Sequence, residues 1–227
     1  PLPLIMSSDD DNGGFNPYVD NAGTCIAIAG KDFVLLGSDT RISDGGYQIL
    51  SRNISKIHFV NNSCAIAVPG MKADGDYFFK KLQINAQNYE FQTGNQITVK
   101  QLARVASVTL YQNRFMPFYV FTIVGGVNEQ NEGKVFAYDA VGSSGEYQYT
   151  STGSGESLAI GILDNELMPL ITDGTYNEKV TVEKAKKLAI AAIEAVTERE
   201  IKTGDDFVYY IIKKDSVEEF RHGLRRD

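Results

Sequence analysis

Cysteine and histidine are scarce in this chain of 227 residues, with two of each. Cys25 and Cys64 both sit inside apolar, strand-like runs. They read as two buried thiols rather than a disulfide, which fits a reducing compartment, cytoplasm or nucleus. His58 and His222 lie far apart and leave little material for a histidine-based triad or a zinc site. No metal or cofactor is expected. Long apolar runs are also missing: no window approaches the roughly 18 residues of a membrane span. The opening PLPLIMSS lacks the basic region and the apolar length of a secretory signal. Positive charge is in deficit, 22 Lys and Arg against 29 Asp and Glu. That balance weighs against nucleic acid or an anionic membrane as the main partner.

What is present is ample apolar material, 43% of the chain, enough for one sizeable domain. Residues 1–22 carry Asp9, Asp10, Asp11 and Asp20 and no Lys or Arg. They read as an extended segment on a surface, ahead of a single domain over 23–227. The acidic triplet does not make a calcium loop, because Gly13 falls where a ligand is needed.

Strand patterns begin at Thr24. TCIAIAG and FVLLGSD flank Lys31-Asp32, and KIHFV and CAIAVPG flank Asn61-Asn62-Ser63, as two hairpins. Their nearly unbroken apolar runs predict strands covered on both faces. Phe78, Leu82, Ala86 and Tyr89 keep helical spacing and predict a helix from Asp74 to Tyr89. Thr98 to Gln101 reads as a capping box. It opens a second helix whose inward stripe is Leu102, Val105, Val108 or Thr109, and Tyr111-Gln112. FYVFTIVGGV, GKVFAYDA and a short YQYT return to strands. A short helix is expected from Ser154, capped by that serine. A longer one is expected from an N-cap at Thr181 through Val196, with Gly204 to stop it. DDFVYYIIKKD and VEEFRHG close the chain as strands. Strand blocks separated by helix pairs predict an α+β fold, a four-layer alpha-beta-beta-alpha sandwich, rather than a doubly wound parallel sheet.

Several short motifs could carry chemistry. Gly153-Ser154-Gly155-Glu156-Ser157 resembles a phosphate loop at a helix start, but it lacks the following Lys-Ser/Thr and dinucleotide glycine spacing. It reads as a tight turn. Asp39-Thr40-Arg41, ending an apolar strand, is either an ion pair at a sheet rim or part of a site. Gly23-Thr24 before a buried strand has the form of a self-cleaving junction. Cleavage there would leave a threonine whose own amine serves as base.

Taken together, GTCIAIAGKDFVLLGSDTR, the later Lys56, GSGES, and EREIKTGDD after a long helix resemble the proteasome beta subunits. The resemblance runs from Phe15 to Asp227 and implies the N-terminal nucleophile hydrolase fold. FNPY, ADGD, RFMPFYV and the terminal RRD resemble the branch at the sixth beta position of the eukaryotic ring, which does not cleave peptides. In active members the nucleophilic threonine lies sixteen residues before the strand-ending Asp. Counting back from Asp39, that register falls on Gly23, which has no hydroxyl. A one-residue offset turns Thr24 to the opposite face of the strand.

By the same resemblance, Asp39 corresponds to the Asp that orients the site lysine. Lys56 corresponds to that lysine if the 42–55 loop holds one extra residue. Ser154 lies where the family has a serine near the N-terminal amine, Glu200 where it has Asp, and Thr203 where it has Ser. Asp39, Lys56 and Glu200 are expected to persist as a buried polar network. Asp139, Val141 and Ser143, in the loop after KVFAYDA, are implied to line a substrate pocket of the neighbouring chymotrypsin-like subunit. The plain reading of DAVGSSG is an ordinary Gly/Ser turn. The resemblance further implies partners, the other alpha and beta subunits in stacked seven-membered rings. It implies ubiquitin-dependent proteolysis in cytoplasm and nucleus, and contact with peptide substrates only through the neighbour. The competing reading is an active threonine endopeptidase that uses Thr24 after cleavage at Gly23. In a chain that keeps residue 23, Thr24 carries an amide instead of a free amine.

Overall fold

A computed structural model describes residues 16–226. The acidic triplet Asp9–Asp11 and Gly13 lie outside them. Strands β1 (Thr24–Ala29) and β2 (Val34–Asp39) form the expected hairpin, closed at the tip by Gly30 N–H donating to the Phe33 carbonyl at 2.8 Å. A small hairpin follows, β3 (Ile42–Ser43) with β4 (Ile49–Ser51), which hydrophobic periodicity did not predict. Next come β5 (Ile57–Asn61) and β6 (Cys64–Ala67), joined at Asn62-Ser63. Helices α1 (Lys72–Thr93) and α2 (Val99–Gln112) follow. The second strand block is β7 (Ile123–Val127), β8 (Gly133–Tyr138), β9 (Ser144–Tyr147) and β10 (Tyr149–Gly153). Then come α3 (Glu156–Thr172), a single turn α4 (Tyr176–Lys179) and α5 (Val182–Thr197). The last strands are β11 (Asp206–Ile212) and β12 (Val217–Gly223).

The strands form two five-stranded antiparallel sheets, in the orders β10-β1-β2-β11-β12 and β5-β6-β7-β8-β9. Alternation along each strand builds three apolar layers. On β1, Ile26 and Ile28 pack outward against α3 and α5, while Cys25, Ala27 and Ala29 face the other sheet. On β6, Cys64 and Ile66 pack under α1 and α2, while Ala65 and Ala67 face inward. Alanine at these inward positions lets the sheets meet over small side chains. The order helices, sheet, sheet, helices is the four-layer sandwich that the sequence predicts.

Several local expectations are corrected. α1 starts at Lys72, ahead of Asp74, because the Asp74 carboxylate accepts from Tyr119 N–H at 2.8 Å instead of capping the helix. α1 also runs past Tyr89 to a left-handed Gly94. The buried stripe of α2 is Leu102, Ala103, Ala106, Thr109 and Leu110, with Val108 and Tyr111 exposed. The stretch YQYT spans two strands. Gln148 carries the chain from the second sheet to the first. α3 is long, and its N-cap is Gly155, not Ser154. α5 begins at the Thr181 cap but ends at Thr197, well before Gly204.

The capping box on α2 is formed as predicted. Thr98 Oγ1 accepts from Gln101 N–H at 3.3 Å, and Gln101 Oε1 accepts from Thr98 N–H at 2.9 Å. Thr98→Ala should cost about 1 kcal/mol, read as a lower urea midpoint at unchanged slope. An unchanged midpoint would mean the box adds nothing to stability.

Candidate functional site

The rim where β2 ends brings Gly23, Asp39 and Lys56 together. Lys56 enters from the loop before β5 and is 2% exposed, and Asp39 is fully buried. The Lys56 ammonium donates to Asp39 Oδ1 at 3.0 Å, the Asp39 carbonyl at 2.9 Å and the Arg41 carbonyl at 2.7 Å. All three ammonium protons are thereby used. The Asp39 carboxylate also accepts three main-chain N–H groups: Thr24 on Oδ1 at 2.9 Å, and Arg41 and Gly204 on Oδ2, both at 3.2 Å.

Gly23 has a φ of 95°, a region that glycine enters at no steric cost. A Cβ built there would fall 2.2 Å from Lys56 Cε and 2.9 Å from Asp39 Oδ1. Position 23 therefore faces the Lys56–Asp39 pair, and the lysine side chain occupies the space a side chain would need. Thr24 points the other way. Its buried hydroxyl lies 2.8 Å from Thr203 Oγ1 and accepts from Gly155 N–H at 3.0 Å, at the start of α3. Ser154 Oγ turns to Thr203 Oγ1 at 3.4 Å, which explains why it does not cap the helix.

Two further expectations change at the rim. Glu200 is not in the buried network: its carboxylate accepts from Lys202 N–H at 3.0 Å within its own turn. Asp39 and Arg41 do not form an ion pair with each other. Arg41 pairs with Asp205 through Nε at 2.9 Å, and both are buried. Gly204 lies against that guanidinium, where a Cβ would be 2.7 Å from Arg41 Cζ. Its role is to admit Arg41, not to end α5.

Asn21 and Ala22 are not laid on an open surface. Ser43 N–H donates to the Asn21 carbonyl at 3.3 Å, and Asn21 Nδ2 donates to the Ser43 carbonyl at 2.9 Å. Lys72 N–H donates to Asn21 Oδ1 at 2.9 Å, and Ala22 is 2% exposed. The chain before Gly23 is thus wedged between β3 and the β6–α1 connection, beside the Lys56–Asp39 pair. No sequence pattern marked Asn21, because its partners lie 22 and 51 positions away.

Asp139, Val141 and Ser143 share one exposed turn after β8. Asp139 Oδ1 accepts from Val141 N–H at 3.0 Å and Ser143 N–H at 2.8 Å. The turn is tied to α2 by Ser107 Oγ donating to the Gly142 carbonyl at 2.8 Å. Cys25 and Cys64 are both buried and form no disulfide, and burial pushes the pKa of the Cys64 thiol up to about 12. Among the described residues no cluster of His, Cys, Asp and Glu has metal-binding geometry, and no helix is long and apolar enough to cross a membrane.

Two antiparallel sheets face to face between helix layers, with a buried lysine–aspartate pair at the rim where β1 begins, define the N-terminal nucleophile hydrolase sandwich. A family model described as proteasome subunit matches residues 19–212, and the chain belongs to that family. It is 38% identical over 219 residues to proteasome subunit beta type-1 of Dictyostelium discoideum, covering 95% of this chain and 92% of that protein. It is 37% identical over 220 residues to proteasome subunit beta type-1 of Arabidopsis thaliana, covering 95% and 98%. It is 36% identical over 223 residues to proteasome subunit beta type-6 of Saccharomyces cerevisiae, covering 94% and 92%.

Proposed function

We propose that this chain is a non-catalytic beta subunit of the proteasome core particle, at the sixth beta position of a seven-membered ring. Its work is assembly and the shaping of a neighbour's substrate pocket. The observation that carries the reading is the filled position 23. The residue in the nucleophile register has no hydroxyl, and the lysine that would tune a nucleophile fills the gap with all its donors bonded within the chain. The competing threonine peptidase needs the Thr24 hydroxyl beside that lysine. Thr24 instead holds the start of α3, one strand face away. Two buried, unpaired thiols favour a place in cytoplasm and nucleus.

The test is a threonine-reactive epoxyketone applied to purified core particles. It should label other subunits and leave this chain unlabelled. An adduct on Thr24, found by peptide mass mapping, would overturn the non-catalytic assignment.

The neighbour's pocket gives a second measurement. Asp139→Asn keeps an oxygen for the two turn amides and removes the charge. If the carboxylate borders the adjacent cleft, the loss is about 1 kcal/mol at 4 Å in water and more where water is excluded. The neighbour's ranking of peptides with Lys, Gln or Glu at the third substrate position should then shift by roughly five- to tenfold. The trypsin-like and caspase-like activities should stay level. An unchanged ranking removes Asp139 from the pocket.

A further inference from the structure

Strand β10 ends the first sheet, and among the described residues no strand covers its outer edge. Ala29 N–H donates to the Gln148 carbonyl, and Ser154 N–H donates to the Gly23 carbonyl. Antiparallel alternation then commits Gln148, Thr150, Thr152 and Ser154 to β1 and turns the main-chain groups of Tyr149, Ser151 and Gly153 outward. An ordinary exposed edge satisfies such groups with water or is blunted by lysine. Here Tyr149 and Ser151 are 7% and 2% exposed. They lie in a cleft of about 660 Å³ between α3 and the β8–β9 edge of the second sheet.

The chemistry of the cleft is one-sided. Asp139, Glu156 and Asp164 line it, and among the described residues no Lys, Arg or His does. Asp164 accepts the Tyr149 hydroxyl at 2.7 Å, while partial burial holds the Glu156 carboxyl above its ordinary range. Phe121, Ile160 and Met168 supply apolar wall. A separate feature also points to a ligand. Thr152 lines the cleft, lies opposite Cys25 on the face between the sheets and is 6% exposed, yet its hydroxyl has no partner among the described residues. A buried hydroxyl without a partner costs free energy until something bonds it.

We infer that this cleft receives an extended segment of a neighbouring subunit that carries lysine or arginine and adds to β10 as a sixth strand of the first sheet. Main-chain pairing along Tyr149–Gly153 would seat about five residues, roughly 17 Å of strand. The basic side chain would meet Glu156 and Asp164, and Thr152 would gain a main-chain partner. This rests on the assembly reading above and names the chemistry of one contact within it.

The experiment places the photo-crosslinker benzoylphenylalanine at Tyr147, a half-exposed aromatic at the cleft mouth. Particles are isolated through a tag on another subunit. The adduct should map to one segment of one neighbouring chain, with a lysine or arginine in it. Glu156→Gln with Asp164→Asn should lower its yield roughly threefold or more, since unpaired partner charge is disfavoured. Hydrogen exchange on wild-type particles is the second readout and needs no variant: the Tyr149 and Ser151 amides should be protected at least tenfold over their unbonded rates. An adduct to a helix or to a segment without basic residues, adducts scattered over several chains, or unprotected amides would each overturn the proposal. Absence of the wild-type chain from the particles would overturn the assembly reading itself, and that outcome is read separately from the crosslink.

Discussion

Replacing Lys56 with methionine is expected to destabilise the chain by about 3–5 kcal/mol. Methionine fills much of the same volume, so the loss is electrostatic rather than a cavity. It leaves a fully buried carboxylate, Asp39, facing only main-chain donors, and it strands the Asp39 and Arg41 carbonyls that Lys56 now bonds. Asp39→Ala should cost at least as much. It leaves the ammonium uncompensated and removes the acceptor of the Thr24, Arg41 and Gly204 amides. The double variant Asp39→Ala, Lys56→Met should be less damaged than the sum of the two, because no isolated charge remains. Urea denaturation of the chain gives the three values, and each variant's share in assembled particles gives a second reading. Additive losses would show that the pair is not coupled and that the site is merely well packed.

The parts of this site that could be read from the sequence are those that recur in order along the chain. The β1–β2 hairpin was legible from two apolar runs, and both of its strands are fully buried. The capping box on α2 was legible because its two members lie three residues apart. β3 and β4, of two and three residues, and the single polar turn α4 are too short for any periodicity to register. Asp39 and Lys56 were found through their resemblance to a family pattern, and nothing in their local sequence required them to meet. Glu200 shows the opposite failure. Its place in the order fits, but its side chain bonds its own turn and never reaches the pair. Gly204 looked like a helix stop because glycine often is one. Its φ is unremarkable, and its use is the room it leaves for Arg41. Chain order located the site's corner of the fold, while side-chain direction and three-dimensional reach decided its membership.

Threonine introduced at position 23 of the full chain should not create a nucleophile. The backbone there has a φ of 95°, where a β-branched residue is a true outlier, at a cost of about 1–2 kcal/mol. Its Cβ would fall 2.2 Å from Lys56 Cε and 2.7 Å from Nζ. A lysine tip ordinarily moves aside cheaply. This one is held by three hydrogen bonds inside a buried network, so moving it gives up charge-assisted bonds worth about 1.5–3 kcal/mol each. Gly23→Thr should therefore cost about 3 kcal/mol or more in urea denaturation. Gly23→Ala should cost nearly as much, because the Cβ alone makes the collision. With residue 22 still attached, the new threonine has an amide in place of the amine that would act as its base. An epoxyketone should leave Gly23→Thr particles labelled only where wild-type particles are. A covalent adduct at residue 23 would show that a single substitution creates a nucleophile here, and a Gly23→Ala variant as stable as wild type would show that Lys56 yields the space freely.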